Sequence, residues 1–302
     1  MVRPAAFDYN PETAASNPLQ RLPLTEGAEH RDAARREFAQ FVLALQSEGV
    51  RVCVVDDTPH PPKPDAVFPN NWISFHADGT VVLYPMHAAS RRLERRAELI
   101  HEVSSRLAFR VSRIVDLTHH ESAGRALEGT GSLVLDHIER VAYACRSPRT
   151  HPAVLGEWCG ELGYEPLLFD AADASGTPLY HTNVLMCIGS RAAIIGGGAI
   201  AAADRARVLD RLAASGREVI TIDPGQVAAY AGNMLELASW DEALGDCSVL
   251  VMSSTARAAL GREAYARIAG CVDNVLAAPI PTIERLGGGS VRCMLAEVFG
   301  AS

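Results

Sequence analysis

The sequence predicts an α/β fold made of five roughly equal units around a common centre, and three observations carry that reading. Helical and strand patterns alternate along the whole chain, and no low-complexity linker divides it. Five short segments share one shape, a turn-like or amide residue followed by a short apolar run: FPNNWISF, LEGTGSLVLD, LYHTNVLMCIG, AYAGNMLELA and GSVRCMLAEVF. With Asn71, Gly131, Asn183, Asn233 and Cys293 as markers, the segments recur at steps of 60, 52, 50 and 60 residues. Each step holds two or three strands and one helix, which suits a closed ring with equivalent strands lining its centre. An ordinary α/β domain with buried strands after turns explains the pattern equally well at this point. A length of 302 residues is read as one domain, 1–302.

The elements follow from periodicity. Residues 36–49 carry apolar side chains at helical spacing, and RVCVVDD at 51–57 follows as a strand. Residues 91–109 read as a helix, as do 151–164 and 202–216, the last two with a glycine near the end. Residues 218–223 and 247–254 read as strands, and 255–271 as another helix.

Composition excludes several classes. Against 36 acidic residues the chain has 28 basic ones, a net charge of −8, and its densest basic cluster, RRLERR at 91–96, is offset by nearby acids. No face is basic enough to bind a nucleic-acid backbone. Seven cysteines without a CxxC pair argue against a zinc knuckle or a disulfide framework and read as reduced thiols. The N-terminal stretch has charges and prolines where a signal peptide needs an apolar run, and the most apolar window, 192–203, is too short and glycine-rich to span a bilayer. The expectation is a soluble cytoplasmic protein with no nucleic-acid or membrane partner.

If the five segments converge, their turn residues bring together Asn71, Glu128, His181, Asn183 and Cys293. That set holds a nucleophile, a proton carrier and an acid, as thiolate attack at carbon requires. Each has a plainer reading: Cys293 as a packing cysteine, His181 as a structural histidine, Glu128 as a turn acid. The glycines before Cys293 and the neighbouring Arg292 weigh against the first, since an open turn and a nearby cation favour a thiolate. His119, His120 and Glu121 suggest metal ligands, but no further ligand stands at diagnostic spacing, so no metal site is expected.

These residues carry a resemblance. MVRPAAFDYNPETAASNPLQ, DAVFPNNWISFH, LEGTGSLVLD and GGGSVRCMLAEVF resemble the guanidino-group-modifying (pentein) superfamily, most closely its arginine deiminase-related group of the citrulline-utilisation hydrolase type. The resemblance covers nearly the whole chain. It implies a five-bladed pseudo-symmetric α/β propeller, with Cys293 as nucleophile, His181 as general acid/base and Glu128 as the supporting acid. The segment after Glu128 departs from the group, with Gly129-Thr130-Gly131 in place of two glycines and an aspartate. ASRRLE at 89–94 resembles a substrate loop, with Arg91 preferred over Arg92, and SPRT at 147–150 a segment whose Arg149 pairs with a substrate α-carboxylate.

Asn71 and Asn183 stand where arginine deiminases usually have guanidinium-gripping aspartates. An amide is neutral, offers a donor and an acceptor, and suits a ureido group. The expected reaction is therefore hydrolysis of citrulline to ornithine, ammonia and carbon dioxide without a cofactor. Arginine dihydrolase, deiminase or methylarginine hydrolase is the alternative, since some relatives with an asparagine here bind a guanidinium first. A non-catalytic binding protein on the same fold is disfavoured by the full catalytic set. Relatives often dimerise, so a homodimer is a further expectation of the resemblance.

Overall fold

A computed structural model describes residues 1–24 and 29–299. The chain starts with β1 (Val2–Arg3), the short helix α1 (Pro11–Ala14), α2 (Glu29–Ser47) and β2 (Val55–Asp56), and β1 pairs with β2 in parallel. Four units of one pattern follow. The first comprises β3 (Ile73–Phe75), β4 (Thr80–Leu83), α3 (Glu98–Leu107) and β5 (Arg113–Asp116), and the second α4 (Gly129–Ser132), β6 (Val134–Asp136), β7 (Val141–Cys145), α5 (Pro152–Leu162) and β8 (Glu165–Phe169). The third has α6 (Thr182–Leu185), β9 (Met186–Ile188), β10 (Ala192–Ile195), α7 (Ala202–Ala214) and β11 (Glu218–Thr221). The fourth has α8 (Pro224–Ala228), β12 (Leu235–Asp241), β13 (Gly245–Ser253), α9 (Ser254–Ala259), α10 (Arg262–Ala269) and β14 (Asn274–Ala278), and α11 (Pro281–Gly287) leads to a 3-10 turn at Val291–Met294.

In each of the four sheets the first strand runs antiparallel to the second, and the third returns through a helix to pair in parallel. A parallel return needs such a crossover, which explains why every step of the repeat holds a helix. The N-terminal strands supply the remaining, two-stranded sheet. Ala296 and Val298, just after Cys293, pack on the cluster that holds Val2 and Val55, so the two ends of the chain share one unit. Five α/β units are thus present among the described residues, as the spacing predicts.

Local signals set the helix bounds. α5 starts with Pro152 behind the cap His151, whose side chain accepts from Ala153 N–H, and stops at Gly163 with φ of 70°. It lays Leu155, Trp158 and Leu162 into the core. Two predicted helices are broken. The stretch 91–109 is a 3-10 segment, Ala89–Glu94, followed by α3, with Arg95 extended between them. Its arginines are drawn to different partners: Arg91 inward to Glu94, Arg95 to Glu121 and Arg96 to the Asp56 carbonyl. The stretch 255–271 splits at buried Leu260 and at Gly261, whose φ of −66° and ψ of 163° cap α10. The strand expected at 51–57 pairs only over Val55–Asp56. No helix among the described residues is long and apolar enough to cross a membrane.

The turns that open the units touch one another in order. Asn70 Nδ2 donates to Thr130 Oγ1 (3.2 Å), Asn183 Nδ2 to the Thr130 carbonyl (3.1 Å) and Asn233 Nδ2 to the Asn183 carbonyl (3.0 Å). The Arg292 N–H donates to Asn233 Oδ1 (3.1 Å), and the turn at Val291–Met294 packs on the one at Pro69–Asn71. The marker residues of the repeat therefore meet.

Candidate active site

Cys293 lies in the last of these turns, and its setting is not the open, flexible mouth expected from three glycines. It is 3% exposed. A Cβ on Gly287 would stand 2.6 Å from the Phe68 ring, and Gly288 takes φ of 62° to end α11, so the glycines permit close packing and a tight reversal. Asn17 Nδ2 and the Tyr180 hydroxyl both donate to the Gly288 carbonyl and fix that reversal. Arg292 does not face the sulfur: its guanidinium donates to the Leu295 carbonyl and to Glu297. The groups at Cys293 Sγ are amides, Asn233 Nδ2 at 3.4 Å and Asn183 Nδ2 at 3.5 Å.

His181 and Glu128 form the expected pair. Glu128 Oε2 lies 2.8 Å from His181 Nε2, and Oε1 accepts the His87 N–H at 3.0 Å. Burial would raise the Glu128 carboxyl, but Arg149 foremost, then His181 and Arg91, hold it well below the usual carboxylate range. An ionised carboxylate only accepts, so His181 Nε2 carries the hydrogen and Nδ1 is left as the basic nitrogen. Burial pushes His181 down to about 4, and its hydrogen bond to Glu128 opposes this without prevailing. The resting ring is therefore neutral, and the Glu128 carboxylate is the group that favours its charged form. Gly131 makes the approach possible, since a Cβ there would sit 2.5 Å from Asn71 Nδ2 and 2.7 Å from His181 Nδ1. The departure from two glycines and an aspartate at 129–131 therefore still keeps a glycine against Asn71 and His181.

Asn71 and the two arginines complete the centre. Asn71, His181, Cys293, Arg91 and Arg149 line one small cavity. Arg91 Nη1 donates to Asn71 Oδ1 at 2.7 Å, and its Nε and Nη2 engage Glu94, each at 2.9 Å. Asn71 Nδ2 has no partner although the residue is 2% exposed. Arg149 donates to the Thr13 carbonyl and Ser16 Oγ of the α1 segment and reaches Glu128 at 3.4 Å. Arg92 instead turns to the Met86 carbonyl and Glu121.

Sequence reasoning missed several members. Asp65 is buried beside Arg91, accepts from Asn10 Nδ2 (2.7 Å) and Thr13 Oγ1 (3.2 Å), and is raised by burial. Burial likewise pushes Glu94 up to about 7 against the pull of Arg91. Only the shared turn position of Asn233 in AYAGNMLELA could have pointed to it. Away from the cavity, His119 and His120 meet Glu157 rather than Glu121, with ligand atoms within 4.8 Å of one another. Glu121 is taken by Arg95 and the Met86 N–H.

Comparison with known proteins agrees with this architecture. The sequence model of the family described as N,N dimethylarginine dimethylhydrolase, eukaryotic, matches residues 3–300. None of the curated proteins matches. Among solved structures, ArgZ, an arginine dihydrolase from the ornithine-ammonia cycle in cyanobacteria, is similar with a TM-score of 0.73 and 15% identity over 99% of this chain and 40% of the other. Unliganded AgrE is similar with a TM-score of 0.74 and 19% identity over 99% of this chain and 39% of the other. A dimethylarginine dimethylaminohydrolase adduct with 4-chloro-2-hydroxymethylpyridine follows with a TM-score of 0.58 and 16% identity over 86% of this chain and 89% of the other. The chain thus spans about 40% of the length of full-length ArgZ and AgrE. Likeness at these identities shows a shared α/β fold.

Proposed function

The chain belongs to the N,N dimethylarginine dimethylhydrolase family, hydrolases of C–N bonds in guanidino compounds, and from that premise we propose a cysteine-dependent hydrolase acting on a ureido or guanidino amino acid, with citrulline the favoured substrate. We place the reaction where the five opening turns meet, an arrangement that fits five blades around one axis.

The observation that carries the ureido preference is the unpartnered Nδ2 of Asn71. The Arg91 donor on Oδ1 fixes the orientation of the amide, so the unpartnered group of this cavity-lining residue is a donor. A buried donor without an acceptor costs roughly 1–3 kcal/mol. A guanidinium presents only N–H groups and leaves that cost in place, whereas a ureido carbonyl removes it.

Cys293 Sγ attacks the ureido carbon while His181 Nδ1 takes the thiol proton. The C–N bond to the terminal nitrogen breaks, His181 passes the proton to it, and ammonia leaves. Negative charge gathering on the carbonyl oxygen is met by Asn71 Nδ2. Water, deprotonated by His181, then cleaves the C–S bond of the thiocarbamate. This frees Cys293 and an ornithine carbamate that decomposes to ornithine and carbon dioxide. Glu128 holds the imidazole in the required tautomer and stabilises it while it is charged. Asn183 positions the planar group, and Arg149 takes the α-carboxylate once Ser16 gives way. Arg91, its fork filled by Glu94, orients Asn71.

A second reading has its own support. Three buried carboxylates, Asp65, Glu94 and Glu128, face two arginines in the centre, and an added guanidinium would favour the ionised forms of Asp65 and Glu94, which burial alone disfavours. An arginine dihydrolase would use both features in turn, the charge for arginine and Asn71 for the ureido intermediate.

The test is incubation of the protein with arginine, citrulline and Nω-methylated arginine separately, following citrulline, ornithine and ammonia by mass spectrometry and ammonia assay. Ornithine from citrulline is expected. Citrulline accumulating from arginine without ornithine would overturn the ureido reading. Cys293→Ser is expected to lower turnover more than about a thousandfold without altering the thermal midpoint.

A further inference from the structure

We propose that Asn233, with Asn183, forms a two-amide cradle that stabilises the Cys293 thiolate, making Asn233 a positioning residue of the nucleophile. The inference rests on Cys293 being the nucleophile, but not on which substrate it attacks.

The geometry leaves Asn233 little freedom. The residue is wholly buried. Its Oδ1 accepts the Arg292 N–H at 3.1 Å, and one hydrogen of Nδ2 goes to the Asn183 carbonyl at 3.0 Å. A backbone donor on one side and a backbone acceptor on the other fix the amide orientation without reference to the sulfur. The remaining Nδ2 hydrogen then points to Cys293 Sγ at 3.4 Å. Asn183 repeats the arrangement: Nδ2 is held by the Thr130 carbonyl at 3.1 Å and approaches Sγ at 3.5 Å. The thiol hydrogen has only longer options, Oδ1 of either amide at 3.9 Å. The contacts are therefore shorter in the sense that suits an anionic sulfur receiving two N–H donors.

Such a cradle does what an adjacent cation would do without placing a charge beside the substrate. Donors preorganised by the backbone need no rearrangement as charge develops, and in a buried site they act more strongly than in water. It also answers why Arg292 can turn away to Glu297. Two neighbouring turns of the repeat supply the amides, and a third supplies the sulfur.

The test reads the thiol directly. Thiolate absorbance near 240 nm is titrated in the wild type and in Asn233→Ala, each corrected by its Cys293→Ser counterpart. The other titratable groups near the sulfur, His181, Tyr180, Tyr230, Asp65, Arg91 and Arg149, are the same in both proteins. The expected result is a thiol midpoint at least about one pH unit higher in Asn233→Ala, hence about tenfold less thiolate below the midpoint, with kcat falling in step. If the alanine variant does not fold, Asn233→Asp keeps the acceptor for Arg292 and is expected to raise the midpoint further. An unchanged midpoint in a folded variant overturns the proposal even if activity falls, because a merely structural role moves activity alone. Absence of ornithine from every substrate would instead count against the functional reading and leave this titration intact.

Discussion

At Asn71 the pairing of one side-chain atom determines what the other can do. Arg91 occupies Oδ1, so Nδ2 is the atom left without a partner. Asn71→Asp removes that donor and adds a charge. The ratio of kcat/KM for citrulline over arginine is expected to fall by about tenfold or more, as where a site group loses its matched partner. Equal losses for both substrates would show that Nδ2 does not discriminate. Gly131 is the steric counterpart, because a methyl there would sit within 2.7 Å of His181 Nδ1 and Asn71 Nδ2. Gly131→Ala is expected to lower kcat by about a hundredfold through displacement of the imidazole, with far-ultraviolet circular dichroism unchanged. Full activity would mean that the ring has room to retreat. Cys293, His181, Glu128, Asn71 and Asn183 were legible because each is a reactive or amide residue in a turn that recurs along the chain. Asp65 and Glu94 were not, since a carboxylate becomes part of a site only when tertiary contacts remove it from water beside an arginine. Arg292 misled for the converse reason: adjacency along the chain says nothing of where a long side chain ends.

Among the elements, α11 decides where the glycines before Cys293 begin. It starts at Pro281 without a capping side chain of its own, and Glu37 of α2 serves instead. The Glu37 carboxylate accepts the Thr282 N–H at 2.9 and 3.1 Å and the Ile283 N–H at 3.0 Å. An acid at a helix N-terminus satisfies unpaired N–H groups and opposes the positive end of the helix dipole. Glu37→Ala is expected to cost about 2 kcal/mol in urea unfolding, and Glu37→Gln less, because one acceptor survives. A loss below about 0.5 kcal/mol for the alanine variant would show that water replaces the carboxylate. No spacing rule joins residue 37 to residue 282, so this cap lay outside sequence reasoning, whereas Gly163 and Pro152 mark the ends of α5 by themselves. The broken helices at 91–109 and 255–271 teach the same point. Helical periodicity was genuine in both, and long-range partners for the arginines in one and a buried leucine beside an extended glycine in the other interrupted it.

Over the whole molecule the repeat was legible as spacing, and the joining of the two ends of the chain in one unit was not, because β1 and β2 are too short to announce themselves. The buried titratable groups have a collective consequence in acid. His76 is 6% exposed, and its Nε2 lies 2.8 Å from Ser74 Oγ, which in turn bonds the Tyr84 hydroxyl. Burial first, with His137 adding to it, pushes its pKa from 6.5 down to about 4. The unfolded chain therefore takes up a proton as pH falls through 6.5, while the native ring refuses one until about 4. Between those values the unfolded state binds more protons, so the contribution of His76 to stability is present above pH 6.5 and lost as pH falls toward 4. His181 works in the same direction. Glu94 works against both: its native carboxyl, raised to about 7, takes a proton before the unfolded one does near 4.5, so acidification favours folding over that interval. A total stability curve mixes these effects, and a difference curve isolates one. Wild type minus His76→Gln, measured by urea unfolding from pH 7.5 to 4, is expected to fall by about 3 kcal/mol, with most of the change below pH 6.5. A flat difference would mean that the native ring protonates as readily as the unfolded one, and that the path from His76 through Ser74 to Tyr84 opens to water in acid.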